Sequence, residues 1–263
     1  MQRHIITAFT PNRVVSRTAM QIITISWLVL GVLTWMWWPS KLIPKPLEVL
    51  VAFGTLWNKH GLLREVWASF NTNLEALAWT MVISLGLAYL TVLPAVRPVV
   101  GWISKLRFLG LVGLTYVFTL YLQGGHQFKV WLLVFGMTVF FVTSMADEVA
   151  SIPKEKFDHA RTLRMGEWRV VWEVVVLGKM DAAIDVLRQN AAIGWMMLSM
   201  VEGLVRSEGG IGTLLLSQNK QLRLSEVFAI QLTILGVGVL QDYGIGILKK
   251  VLCPHSSINL ERR

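Results

Sequence analysis

KEKFDHARTLRMGEWRVVWEVVVLGK, Lys154 to Lys179, is the one long charged stretch between hydrophobic blocks in this sequence. It holds six of the 25 Lys and Arg residues (Lys154, Lys156, Arg161, Arg164, Arg169 and Lys179) together with four acids. Its apolar residues recur at helical spacing: Phe157, Ala160 and Leu163, then Trp168, Val171, Trp172 and Val175. That stripe predicts a helix, or two short ones broken near Gly166, lying against a surface and not crossing a bilayer. Taken alone, it reads as an amphipathic helix on the lipid surface. What flanks it changes that reading.

The chain has a mean hydropathy of +0.55, with 54% hydrophobic and 16% charged residues. Soluble domains carry about 25% charged residues, so this is the composition of an integral membrane protein. The net charge of +9 therefore calls for a membrane explanation, and no nucleic-acid-binding module competes with it. One cysteine, Cys253, excludes an intrachain disulfide and a CxxC metal site, and the five histidines show no ligand spacing. There is no P-loop, no GxSxG elbow and no catalytic carboxylate pair. No metal or cofactor is expected in this chain, and a conduit or scaffold fits it better than an enzyme.

Working outward, six apolar runs predict six spans: Met20–Trp38, Ala76–Leu93, Phe108–Leu122, Phe128–Met145, Ala182–Val205 and Val227–Leu248. The first follows a basic tail over residues 1–19 and ends in Trp35, Trp37 and Trp38, side chains that favour the membrane interface. Two amphipathic pieces, Leu47–Trp57 and Leu62–Phe70, are expected to lie on the surface. Arg97, Lys105 and Arg107 mark a short basic loop. The third span is near the lower limit for a crossing. The fifth carries Asp185, Arg188, Gln189 and Asn190 in its first half, so its hydrocarbon part is expected to begin near Ala191. All eight prolines fall outside the spans or at their edges, where a missing N–H costs nothing. The expected organisation is one transmembrane domain over residues 20–248, with the 154–179 loop on the same side as the tails 1–19 and 249–263. Seventeen of the 25 Lys and Arg residues then share that side and eight lie opposite, which makes it cytoplasmic.

Within the loop, Asp158-His159-Ala160-Arg161-Thr162-Leu163-Arg164-Met165-Gly166-Glu167-Trp168 resembles the cytoplasmic EAA loop of bacterial ABC importer permeases, "EAARTLGAS-x-W" in the sulfonate/nitrate/taurine branch. Ile43-Pro44-Lys45-Pro46-Leu47-Glu48-Val49-Leu50 is similar to that branch's "LPSPxxVL" segment. Trp67-Ala68-Ser69-Phe70 stands where the branch has "xxSLxR". Glu202-Gly203 with Gly209-Gly210-Ile211-Gly212 is similar to its "E…sGLG" connection. The likeness runs from about Ile43 to Leu248. Against the motif EAA-x3-G-x9-I-x-LP, Asp158 replaces Glu, His159 the first Ala, Arg164 the Gly and Leu177 the Pro. Gly166 and Gly178 are expected to supply the missing backbone freedom.

The resemblance implies an all-α, six-span MetI-like permease in a bacterial inner membrane, with both termini cytoplasmic. It implies a second permease subunit (a homodimer), a cytoplasmic ABC ATPase that binds ATP-Mg, and an extracytoplasmic solute-binding protein. The loop would seat in the ATPase, with Ala160 and Leu163 as the apolar contact, Asp158, Arg161 and Arg164 as its charged rim, and Gly166 at the break. Arg161 and Arg164 have a plainer reading as topology determinants, and Trp168 and Trp172 as interfacial anchors. Candidates for the translocation path are the polar residues of the last two spans, Asn190, Ser199, Glu202, Gln231 and Asp242. Glu202 has an equal claim as a cap for the connection that follows it. A small anionic or nitrogen- or sulfur-containing solute rests on the resemblance alone. The residues also leave open a membrane scaffold that keeps the six-span fold without transport.

Overall fold

A computed structural model describes residues 16–38, 43–122, 124–205 and 208–254. The tail before Ser16 and the residues after Pro254 lie outside that description. The helices are α1 (Arg17–Trp37), α2 (Pro46–Lys59), α3 (Leu62–Leu90), α4 (Arg97–Lys105), α5 (Leu111–Leu122), α6 (Gly125–Ala150), α7 (Lys154–Thr162), α8 (Glu167–Val170), α9 (Met180–Leu204), α10 (Ile211–Lys220) and α11 (Leu224–Leu252). A 3₁₀ turn, Leu106–Phe108, lies between α4 and α5, and a π-helical turn, Val171–Leu177, follows α8. No strand occurs among the described residues.

The axis of the bundle is α6. Its Leu132, Leu133, Met137, Phe141 and Met145 are wholly buried, and α3, α4, α5 and α9 pack around it. Thr18–Trp37, α3, α6 and α11 are each long and apolar enough to cross a membrane. Arg97–Phe108 and α5 are apolar enough together but bent by 109° at the break between them, the geometry of a broken span or of a re-entrant loop. At 1.5 Å per residue, the 25 residues of α9 reach about 37 Å, enough for a hydrocarbon core of about 30 Å. Two of its charges are paired within the bundle: Arg188 with Asp242, and Asp185 with Lys249, both partners on α11. The described residues make an all-α membrane protein with four candidate crossings, or five if the bent pair is one span.

Three expectations need correction. Leu62–Phe70 is not a separate surface helix, because α3 runs unbroken from Leu62 to Leu90. Its polar Ser69, Thr72 and Asn73 are buried, so they face the core and not water. The basic segment from Arg97 to Arg107 is not irregular but helical, α4 and the 3₁₀ turn after it, with Pro98 accommodated in the first turn of α4. Finally, Gly166 and Gly178 do not supply the backbone freedom that Arg164 lacks. Gly166 is extended (φ −65°, ψ 150°) at the start of α8, and Gly178 has an ordinary helical φ of −68°. Arg164 itself takes the left-handed conformation, φ +53°. A side chain with a Cβ pays about 1–2 kcal/mol there. Arg164→Gly is therefore expected to stabilise the chain by about 1 kcal/mol after the entropic cost of glycine. In detergent its thermal midpoint should rise by about 2–4 °C; an unchanged or lower midpoint would contradict this strain.

Candidate functional site

The charged loop folds as two short helices in a V across one end of the bundle. Pro153 opens α7, and Leu163 and the left-handed Arg164 close it. Arg161 then staples α7 to α8. Its Nε and Nη2 donate to the two carboxylate oxygens of Glu167 at 3.0 and 3.2 Å, and Nη1 donates to Asp158 at 3.3 Å. These hydrogen bonds, and the positive charge behind them, hold the Glu167 carboxyl below its ordinary value. The staple is thus closed at neutral pH, and its contribution is lost only as pH falls through that lowered value. The residues are exposed, so the staple fixes shape more than it adds stability. At the far end of the loop, Lys179 Nζ donates to Glu148 and to Ser151 Oγ, both at 2.8 Å, which ties the start of α9 to the end of α6. Gly178 is required there, since a Cβ would strike the Val174 carbonyl of the π turn.

The expected contact residues separate. Leu163 is 59% exposed and leads the outer surface of the V, whereas Ala160 is 6% exposed and packs inward. Both line one recess on the loop, together with Lys156, His159 and Val174. Asp158, Arg161 and Arg164 surround Leu163 in solvent as expected for a rim, although Arg161 is already committed to the staple.

At the opposite end of the bundle lies a buried polar lock. Three consecutive N–H groups at the start of α10 are each satisfied by a different side chain: Gly210 by Glu65, Ile211 by Ser69 Oγ at 2.8 Å, and Gly212 by Glu202 Oε2 at 2.9 Å. Ser69 Oγ donates to the Glu202 carboxylate at 2.7 Å, and Thr213 Oγ1 donates to the Glu202 backbone carbonyl at 2.8 Å. Carboxylates at a helix N-terminus also meet its positive dipole end. Lys129, 2% exposed, donates to the Gly209 carbonyl at 2.7 Å. The glycines follow from this geometry. Gly209 and Gly210 have φ of +69° and +110°, and a Cβ on Gly210 would overlap the Glu202 carboxylate.

The five path candidates are each bonded elsewhere or exposed. Glu202 is consumed in the lock. Asp242 is paired with Arg188. Asn190 is buried and donates to the Val186 carbonyl at 3.0 Å. Ser199 donates to the Met196 carbonyl at 2.9 Å, and Gln231 is exposed near the start of α11. No hydrogen bond or ion pair links any two of them among the described residues. Sequence reading also missed a three-helix knot in the core. Trp195 Nε1 donates to Gln241 Oε1 at 2.6 Å, and Asn73 Nδ2 reaches the same oxygen at 3.4 Å. The available signal was Ser69, Asn73, Thr80 and Ser84, which fall on one face of α3 at helical spacing and are all buried.

No protein-family model matches the chain, and no curated protein sequence matches it. Solved structures do. A chain of the MetNI methionine ABC transporter, in inward-facing conformations, superposes with a TM-score of 0.56 at 16% identity, covering 76% of this chain and 98% of that one. The chain has the MetI-like permease fold.

Proposed function

We propose that this chain is the transmembrane subunit of an ABC importer, which pairs with a second permease subunit, a second copy of itself, to enclose a translocation path. It binds no cofactor. ATP-Mg is bound and hydrolysed by a separate cytoplasmic ATPase, and an extracytoplasmic binding protein delivers a small anionic or nitrogen- or sulfur-containing solute. Both termini and the 154–179 loop are cytoplasmic, in a bacterial inner membrane, as the Lys and Arg distribution favours.

The observation that carries this reading is the construction of the loop. An exposed leucine with a charged surround stands on a V held rigid by the Arg161–Glu167 staple, and Lys179–Glu148 ties its base to both neighbouring spans. A surface so mounted passes a push on Leu163 into α6 and α9 with little loss in side-chain motion. A tagged full-length chain extracted from membranes in mild detergent is expected to bring with it an ATPase subunit in equal number. Recovery without any ATP-hydrolysing partner would overturn the proposal in favour of a scaffold.

A further inference from the structure

A cavity of about 750 Å³ opens where α3 and α6, two helices long and apolar enough to cross a membrane, come to their ends beside the charged loop. It is bordered by the turn after α3, by α4, by the end of α6 and by both arms of the V. Its floor belongs to the core: Val100, Val149, Ile152 and Val170 are all buried. The size falls within the range of small-molecule sites, whose usual make-up is an apolar lining with a few fixed polar groups.

Two of the polar groups are only partly used. Arg97 spends its Nε on the Thr91 carbonyl, at 3.0 Å, and its two Nη groups have no partner among the described residues. The Asp147 carboxylate likewise accepts no hydrogen bond and joins no ion pair among them. The other charges that line the cavity, Arg161 and Glu167, are joined in the staple. Two cations thus balance two carboxylates, with one of each sign left to bind. An anion alone would meet Asp147, and a cation alone would meet Arg97. The lining is complementary to a ligand that carries one charge of each sign.

The wall helix α4 indicates where such a ligand comes from. Trp102 is 69% exposed on it, and Lys105 Nζ lies 4.8 Å from the centre of the Trp102 ring. Exposed tryptophan beside basic residues at the end of a span is the composition of the membrane interface, where these rings sit among lipid head groups. We infer that the cavity binds the phosphoethanolamine head group of an amino phospholipid. The phosphodiester oxygens accept from the Nη groups of Arg97 and the ammonium donates to Asp147, both in charge-assisted hydrogen bonds. The buried valines and Ile152 face the glycerol carbons. A choline head group has no N–H to donate, and a phosphoglycerol one brings a negative charge with no cation for Asp147. Because α7 and α8 border the cavity, the bound lipid ties the V to α4 and to the end of α6. Binding requires no transport, so it stands or falls apart from the importer reading.

The test is lipid retention by the full-length chain. The protein is stripped of native lipid in detergent and given an equal mixture of dioleoyl phosphatidylethanolamine, phosphatidylcholine and phosphatidylglycerol, and native mass spectrometry counts what stays bound. The ethanolamine lipid is expected to be retained about tenfold over the other two, the scale of one hydrogen bond to a charged group. Asp147→Asn should bring it down to the level of the choline lipid, and Arg97→Gln should release both. Both residues are exposed, and Asp147→Asn keeps the shape of the side chain, so the comparison is between folded chains. Glycerophosphoethanolamine, the same head group without acyl chains, should not displace the lipid at equal concentration. Displacement would make the ligand a soluble one and overturn the lipid assignment. Equal retention of the three lipids, or an ethanolamine preference that survives Asp147→Asn, would mark ordinary surrounding lipid and overturn the site.

Discussion

Glu202→Ala is expected to keep the chain from accumulating as a folded membrane protein. The carboxylate is 1% exposed and accepts from Ser69 Oγ and the Gly212 N–H. Truncation leaves both donors buried, and leaves Lys129 facing one fewer acid at the end where α3, α6, α9 and α10 converge. Removing one member of a buried charged network costs about 3–5 kcal/mol, a large share of the stability of most domains. Glu202→Gln keeps an acceptor oxygen for one of the two donors and should fall between parent and Ala. Gly212→Ala should fail for a separate reason, because a Cβ there overlaps the Ser199 backbone. Yield of monodisperse protein in detergent and its thermal midpoint would report all three. A Glu202→Ala chain with parental yield and midpoint would show that the lock contributes little.

Much of this fold is legible in the sequence because a membrane imposes a length and a polarity on each span. The runs at Phe128–Met145 and Val227–Leu248 fall within single helices, and the prolines mark helix starts and ends, as at Pro46, Pro98 and Pro153. What sequence hides is depth and pairing. Ser69 and Glu202 are 133 positions apart, so the lock exists only once α3 and α9 are adjacent. Arg107 reads as a loop residue because charge suggests an exit from the membrane, and only the fold shows that it lies in a 3₁₀ turn against α6. The split between Ala160 and Leu163 is similarly invisible. Both fit one helical stripe and line one recess beside the π turn, but Ala160 is buried and Leu163, where the helix ends, is exposed.

Leu163→Asp is expected to separate ATP hydrolysis from transport while leaving the chain folded in the membrane. Leu163 is exposed, packs little of its surface within the chain and follows the last residue of α7, so a polar replacement costs the fold little. In the proposed complex the same side chain is the apolar centre of the contact with the ATPase. Such central residues cost about 2 kcal/mol or more on loss, and a carboxylate buried without a partner adds its desolvation penalty. Association should weaken by roughly thirtyfold or more, and solute-stimulated hydrolysis should fall with it. Leu163→Met, similar in volume and apolar, should retain both. Arg161→Glu should give a related defect by a different route, since it sets a carboxylate against Glu167 and opens the V without removing the contact. Its ATPase should remain bound, with hydrolysis no longer driven by solute. If Leu163→Asp and Arg161→Glu both transport and bind the ATPase as the parent does, the loop is not the element through which force passes, and the scaffold reading gains the ground that coupling loses.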